Sequence, residues 1–229
     1  MAITFIKGNL FNSKAQTIVN TVNCVGVMGK GIALVFKLRY PQLFAAYQKA
    51  CKSGDIQIGY PWLYKDQPGI PWVLNFPTKD HWKYPSKPEF IEKGLKAFVT
   101  NYEEQGITSI AFPMLGTHNG GLDTELVKNM MISFLGSCPI PVEVYEFDPN
   151  QPDDLFERFK AQWLSLSPTI IKSHTGIRNQ AQIDAVYRAL NSGPIQSLIG
   201  LIEARGVGMV TMEKCFRFVM DYRQNTLFD

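Results

Sequence analysis

Ile18-Val-Asn-Thr-Val-Asn-Cys-Val-Gly-Val-Met-Gly-Lys-Gly-Ile-Ala33 decides how the chain is read. Thr17–Val22 is short and rich in β-branched residues and stops at Asn23, which predicts a buried strand. Gly26, Gly29 and Gly31 follow in a loop. Ile32, Leu34, Val35 and Leu38 then recur at helical spacing up to Tyr40, before Pro41. A strand that feeds a helix through a glycine loop sets backbone N–H groups at a helix N-terminus, where a phosphate is attracted. Glycines let that backbone come close to a diphosphate. No Gly-Lys-Ser/Thr follows, so this is not a Walker loop, and the spacing fails the dinucleotide fingerprint. Taken alone, the loop is equally well a plain tight turn.

Outward from this stretch the pattern repeats. Ala2–Lys7 alternates into Gly8 and predicts a first strand. Pro41–Ser53 fits a second helix closed by Gly54. Ile56–Tyr64 and Pro71–Phe76 are strand-like, on either side of the turn Lys65-Asp-Gln-Pro-Gly69. Ser86–Gln105 reads as an amphipathic helix with Ser86 as N-cap and Phe90, Ile91, Leu95, Phe98 and Val99 on its apolar side. Ser109–Pro113 is a short buried strand, Gly116–Gly121 a second glycine loop, Asp123–Leu135 a helix and Val142–Phe147 a last strand. Strands and helices that alternate to residue 150 predict an α/β sandwich with a mostly parallel or mixed sheet. Ligands bind such sheets at the carboxyl ends of the strands.

The character changes at Asp148-Pro-Asn-Gln-Pro152. Residues 151–229 read as a helical C-terminal region: 153–163, Gln180–Asn191, Pro194–Arg205 and Thr211–Arg223 are helical, with a looser stretch at Ser165–Ser173. No repeat or low-complexity tract is present.

Composition narrows the functional classes. The chain has 229 residues, 45% of them hydrophobic, and a net charge of +3. That charge is spread as +2 over 1–150 (14 basic, 12 acidic residues) and +1 over 151–229 (9 basic, 8 acidic), so no basic patch points to nucleic acid by itself. Cys24, Cys51, Cys138 and Cys215 form no C-x-x-C pair, and free thiols in a reducing cytosol are expected. His81, His118 and His174 fall on different elements, so no metal site is expected. Met1-Ala-Ile-Thr-Phe5 lacks a charged segment followed by an apolar one, and no apolar run reaches about 18 residues. A cytoplasmic protein without a membrane span is expected.

Four features could carry chemistry. The second loop, Leu115-Gly-Thr-His-Asn-Gly-Gly-Leu-Asp123, could clamp a diphosphate against the first. Asn23 could address ribose hydroxyls, or cap its own loop. Lys79, in Asn75-Phe-Pro-Thr-Lys-Asp-His-Trp82 after a strand, could be drawn into a cleft, where burial lowers a lysine pKa and frees a nucleophilic amine. Its plain reading is a solvated surface charge. Asp123 precedes a helix and could be an N-cap or an acid/base group.

Together these motifs identify a resemblance. Residues 1–148 resemble a macrodomain, through the stretch 18–33. Phe76-Pro-Thr-Lys79 with His81-Trp82, and Gly120-Gly-Leu-Asp123, are more narrowly similar to the DarG antitoxin branch and its relative, the terminal ADP-ribose glycohydrolase. The resemblance implies a three-layer α/β/α sandwich with a mixed sheet over 1–150, followed by the helical region. It implies an ADP-ribosyl glycohydrolase, a hydrolase with no cofactor, for which ADP-ribose is ligand and product. The modified target would be a DNA base or an acyl-linked protein site, and the chain a monomer with a cognate ADP-ribosyltransferase toxin as partner. Lys79 would attack C1″ of the distal ribose or stabilise its opening, and Asp123 would act as general acid/base.

The same resemblance places the ligand. Gly29, Lys30, Gly31 and Ile32, with Gly116, Thr117, His118, Asn119, Gly120, Gly121 and Leu122, would hold the diphosphate and distal ribose. Asn23 would face the distal ribose, and Asn20 and Thr78 would also belong to the ADP-ribose site. Asn9 and Leu10 would border the adenine, with Asn9 standing where the family often has an acid. Phe147 would stack on the adenine, or else fill the core. In one respect the chain departs from the branch, whose second loop usually reads Gly-Cys-Gly-x-Gly-Gly-Leu-Asp. Thr117 and His118 stand for the small Cys and Gly, and His118 is expected to narrow the pocket or touch substrate. Trp82, Lys83, Tyr84 and Lys87 could meet DNA by stacking and phosphate contact, or form a solvated loop. Two other functions compete: a module that binds ADP-ribose without turnover, which needs neither Lys79 nor Asp123, and an ADP-ribose 1″-phosphate phosphatase.

Overall fold

The computed structural model describes residues 3–65, 68–148, 153–193 and 195–225. The chain divides into two compact units, Met1–Asp148 and Pro149–Asp229. The segments 66–67 of the expected turn, 149–152 at the change of character, Ala2 of the first strand and Pro194 lie outside the described residues.

The first unit holds six strands: β1 (Thr4–Lys7), β2 (Thr17–Asn23), β3 (Trp62–Tyr64), β4 (Trp72–Lys79), β5 (Ile110–Pro113) and β6 (Val142–Glu146). They form one sheet in the order β1-β6-β5-β2-β4-β3. All neighbours pair in parallel except β3, which runs antiparallel along the edge of β4. The sheet is therefore mixed.

Period-2 alternation sends adjacent residues to opposite faces. Val19, Leu74, Phe76, Ile110, Phe112 and Val144 pack in one core with Ile91, Leu95 and Phe98 of α3 (Pro88–Asn101) and Val127, Met131 and Leu135 of α4 (Thr124–Leu135). Their strand neighbours Ile18, Val73, Ala111 and Tyr145 pack in another with Phe36 of α1 (Gly31–Arg39) and Leu43 of α2 (Pro41–Ser53). Helices on both faces make three layers. Helix α3 lies so close to the sheet that a Cβ on Gly94 would come within 2.2 Å of the Phe76 ring.

Several expectations change. The segment 56–61 is not a strand: Gly59 has φ +86°, and only an isolated Gln57–Tyr60 bridge forms before Trp62. Strand β4 extends past Phe76 to Lys79, and β3 pairs only with Val73–Asn75, so Pro77 lies beyond that edge pairing, where a missing N–H orphans no partner on β3. Ser86 is not an N-cap. Pro88 opens α3, Lys87 offers no side-chain cap, and Ser86 is buried.

The second unit consists of α5 (Asp154–Ser165), α6 (Pro168–Thr175), α7 (Gln180–Asn191) and α8 (Met209–Asn225). Phe159, Trp163, Val186, Leu201, Met212 and Phe216 are fully buried there. The looser stretch is helix α6, capped by the Ser167 hydroxyl and closed by Gly176 in the left-handed region. The helix expected over 194–205 is only a 3-10 turn at Ile199–Glu203, preceded by the Ser197 hydroxyl accepting from the Gly200 N–H. Among the described residues, no helix is long and apolar enough to cross a membrane, and the four cysteines are free thiols.

Candidate functional site

Five parallel strands end on one side of the sheet, and, Asn20 within β2 apart, the residues of the expected site lie at those ends or in the segments that follow them. After β1, the Gly8 N–H donates to the Glu146 carbonyl at the end of β6. Asn9 and Phe147 therefore follow directly on paired residues of neighbouring strands. Asn9 opens a 3-10 turn over Leu10–Asn12, and its Oδ1 accepts from the Phe11 N–H at 3.0 Å. The side-chain oxygen expected to read adenine thus already holds its own turn. Leu10 is buried, so it borders the site with backbone. Phe147 is 62% exposed, which removes its reading as a core aromatic and leaves a free ring face beside the end of β1.

The first loop follows β2. Asn23 is its organiser: Oδ1 accepts from the N–H groups of Val25 (3.1 Å) and Val27 (3.3 Å), and Nδ2 donates to the Val27 carbonyl at 2.6 Å. The Tyr47 hydroxyl, brought in by α2, donates to the Asn23 carbonyl at 2.5 Å. Asn23 was expected at the ribose; its amide instead fixes the loop, because three local backbone groups satisfy it. Asn20 departs in the same way. It is fully buried in β2, and its Nδ2 donates to Asn75 Oδ1 on β4 at 3.0 Å. Helix α1 then opens at Gly31 with φ +57°, its N-cap Lys30 giving no side-chain bond. First-turn N–H groups and the helix dipole at such an end attract anions.

The second loop follows β5. Gly116 and Gly121 have φ +65° and +80°, and His118–Gly120 is a 3-10 turn. The N–H groups of Gly120 and Gly121 both donate to the Thr117 carbonyl, and that of Leu122 to the Gly116 carbonyl. These three donors are paired within the loop rather than turned toward a ligand. Among the described residues, none other than glycine has positive φ, so His118 needs no unusual dihedral. Its ring Nδ1 lies 3.2 Å from the buried Thr117 hydroxyl, which donates to the Met114 carbonyl.

Lys79 joins the loops. A register shift in the β2–β4 pairing after Val22 skips Thr78 and sets Asn23 opposite Lys79. Such bulges re-aim a side chain next to a site. Thr78 is buried; Lys79 reaches out, and its Nζ donates to the Asn119 carbonyl at 2.5 Å. The Asn119 side chain in turn lies against Gly31, where an added Cβ would stand 2.6 Å from its Nδ2. One residue therefore touches both the amine and the first loop. Partial desolvation holds the Lys79 amine below the ordinary lysine value. Cys24, at the foot of the first loop, is the other possible nucleophile nearby. Burial, with Asp80 adding, pushes its thiol up to about 12, which leaves it inert near neutrality.

Asp123 is the exposed N-cap of α4, its Oδ1 accepting from the Leu126 N–H at 2.8 Å. Two supports had no sequence signal. Tyr47 reads only as a helix-face aromatic, and Ser86 only as a cap. Ser86 in fact donates its N–H to the Gly120 carbonyl and packs beneath Gly120, so the second loop rests on the segment after Lys79. Among the described residues, no three of His, Cys, Asp and Glu gather where they could hold a metal ion.

Comparisons with known proteins fit this geometry. A family model described as Macro domain matches residues 19–131. Over 139 residues the chain is 47% identical to a Mycobacterium tuberculosis protein named DNA ADP-ribosyl glycohydrolase, a match covering 60% of this chain and 40% of that one. The solved macrodomain of Thermus aquaticus DarG is 44% identical with a TM-score of 0.60, covering 63% of this chain and 97% of that chain. From Thermosipho africanus come a relative named DNA ADP-ribosyl transferase-DNA ADP-ribosyl glycohydrolase fusion protein, 38% identical over 62% of this chain and 41% of its own, and a solved DarTG in complex with ADP-ribose. That structure is 37% identical with a TM-score of 0.61 over 66% of this chain and 43% of its own. The chain spans about two fifths of the length of the curated relatives it matches.

Proposed function

The chain belongs to the macrodomain family, and on that premise we propose that it is an ADP-ribosyl glycohydrolase that frees ADP-ribose from a modified DNA base. The N-terminus of α1 would hold the diphosphate against the second loop, whose Gly120, Gly121 and Leu122 N–H groups are spent on its own turn, and Phe147 would stack on the adenine. The distal ribose would then lie between Lys79 and Asp123. The Lys79 amine, in its neutral form, would attack C1″ of that ribose, or stabilise its opening, while the bond to the base breaks. Asp123 would protonate the leaving group or the ring oxygen, then take a proton from water as that water adds at C1″ and displaces the Lys79 nitrogen, which leaves with a proton and frees ADP-ribose. No cofactor is needed for this chemistry, and ADP-ribose is the product.

The observation that carries the reading is the Lys79–Asn119 bond. It holds a partly desolvated amine over a loop that ends in a carboxylate four residues on, at Asp123. The names of the relatives support DNA as the target, and the Thermosipho fusion supports a partner ADP-ribosyltransferase. A cytoplasmic monomer is the form proposed.

One observation favours a second reading. Both reactive groups also have structural work, Lys79 on Asn119 and Asp123 on α4, and a module that only binds ADP-ribose would use them so. Incubation with thymidine-linked and glutamate-linked ADP-ribose separates the two. The hydrolase releases ADP-ribose from the thymidine conjugate and loses this with Lys79→Ala or Asp123→Ala. Tight ADP-ribose binding with no release from either conjugate by the unaltered protein makes it a binding module.

A further inference from the structure

Beyond the nucleotide site, the turn that leaves β4 carries an unusual surface. Trp82 is 49% exposed and Tyr84 64%. Both rings pack on His81, Trp82 stacked at 5.6 Å and 27° and Tyr84 tilted at 5.5 Å. Lys83 lies with its Nζ 5.3 Å from the Trp82 ring. From His81 to Lys87 the segment has two lysines and no acid, between Asp80 and Glu89.

The turn is also held in shape. The Lys83 N–H donates to His81 Nδ1 at 3.2 Å, and the Tyr84 N–H to the His81 carbonyl at 3.1 Å. One end is tied to the first loop by the Cys24 N–H donating to the Asp80 carbonyl, the other to the second loop by the Ser86 N–H donating to the Gly120 carbonyl. Fixed aromatic faces in water carry a hydration cost that a solvated loop would avoid by folding them away. Exposed rings interleaved with lysines are what single-stranded nucleic acid recognises: bases stack, phosphates meet cations, and no base identity is read.

Position decides what passes over this surface. Lys79 ends β4, and the turn begins at the next residue. A substrate whose anomeric carbon meets Lys79, and whose base belongs to a polymer, must lead that polymer away across the rim around it. We propose that His81–Lys87 is a platform for the single-stranded DNA flanking the modified nucleotide, with Trp82 and Tyr84 stacking on bases and Lys83 and Lys87 meeting phosphates. The proposal rests on the glycohydrolase reading for what is tethered at Lys79; the platform itself is testable without turnover.

The full chain is titrated against a short fluorescent oligothymidylate, followed by anisotropy over a range of salt. Trp82→Ala with Tyr84→Ala weakens binding about tenfold or more, since each stacked base is worth about fivefold or more and two are lost. Lys83→Ala with Lys87→Ala flattens the slope of log affinity against log salt by about 0.7 for each phosphate that is no longer neutralised. ADP-ribose affinity stays unchanged in both, which shows that they are folded. With ADP-ribosylated substrates, the aromatic variant raises KM for an oligonucleotide about tenfold and leaves an ADP-ribosyl thymidine nucleoside unaffected.

The platform is overturned if the unaltered protein binds oligothymidylate no better than the aromatic variant. It is overturned too if the KM change appears with a glutamate-linked ADP-ribosyl peptide instead of the oligonucleotide, which would assign the surface to a protein target. If neither conjugate is turned over, the glycohydrolase reading alone fails, and the anisotropy result still decides the platform.

Discussion

Lys79 Nζ rests on the carbonyl of Asn119, 2.5 Å away, while the Asn119 side chain rests on Gly31. Three motifs that lie far apart in the chain therefore meet at one residue. The contact explains why the amine is drawn from solvent. It also ties the group proposed to attack the sugar to the loop proposed to hold the phosphates. A change on one side should be felt on the other.

The lowered pKa of Lys79 gives a pH dependence with a definite sign. The neutral amine is the nucleophile, so release should rise with pH through the lowered value of Lys79 and then level off. In the unfolded chain the lysine titrates near its ordinary 10.5, so between the two values the unfolded state binds more protons. Stability from this group is missing below the lowered value and is gained as the pH rises toward 10.5. Lys79→Met should remove that part of the pH dependence in urea unfolding and abolish the rise in release. A rate profile in the unaltered protein that is flat across this window would take Lys79 out of the chemistry.

Gly31 is the second place where the loops depend on each other. Its φ of +57° costs a side chain about 1–2 kcal/mol whatever the space around it. A Cβ there would also stand 2.6 Å from Asn119 Nδ2, but that atom ends a side chain that can move. Backbone strain should therefore set the loss of stability in Gly31→Ala, and the displaced Asn119 the loss of function. Calorimetry with ADP-ribose should show at least tenfold weaker binding, equal to about 1.4 kcal/mol, alongside a modest drop in melting temperature. Unchanged affinity would mean that the first loop does not hold the ligand.

Gly94 tests the fold rather than the site. An added methyl would sit 2.2 Å from the Phe76 ring, which is fully buried and has nowhere to go. Overpacking of this kind costs about 1–3 kcal/mol, so Gly94→Ala should lower the urea midpoint accordingly. Phe76→Leu in the same chain makes room and should recover part of the loss. Full additivity of the two changes would show that helix α3 is not seated on this ring.

Local signals carried most of the architecture. Pro41 and Gly54 mark α2 at both ends, and the apolar spacing in Gln180–Asn191 gives α7. Two kinds of information were out of reach. Cap chemistry was open to two readings: Ser167 before Pro168 starts a helix of only 8 residues inside a stretch that reads as loose, while Ser86 looked like a cap and became a buried support for Gly120. The other kind is long-range pairing. That Asn23 spends its amide on Val25 and Val27, and that Tyr47 fastens it, depends on α2 folding back on β2. The bulge that sets Asn23 opposite Lys79 is a property of strand register, which no single segment encodes.

Asp123 has two jobs in the proposed mechanism, and they can be separated. As N-cap it accepts the Leu126 N–H at 2.8 Å, which any Asp or Asn side chain can do. As general acid it needs an ionisable carboxyl, which Asn lacks. Asp123→Asn should hold the stability of the protein while turnover of thymidine-linked ADP-ribose falls about a hundredfold or more, the usual worth of a general acid. Asp123→Ala should lose the same activity and also about 1 kcal/mol of stability, the usual worth of a cap. Turnover and chemical denaturation of the two variants side by side supply the check. If Asp123→Asn keeps its rate, the carboxylate is a cap and nothing more, and the proton for the leaving group comes from elsewhere.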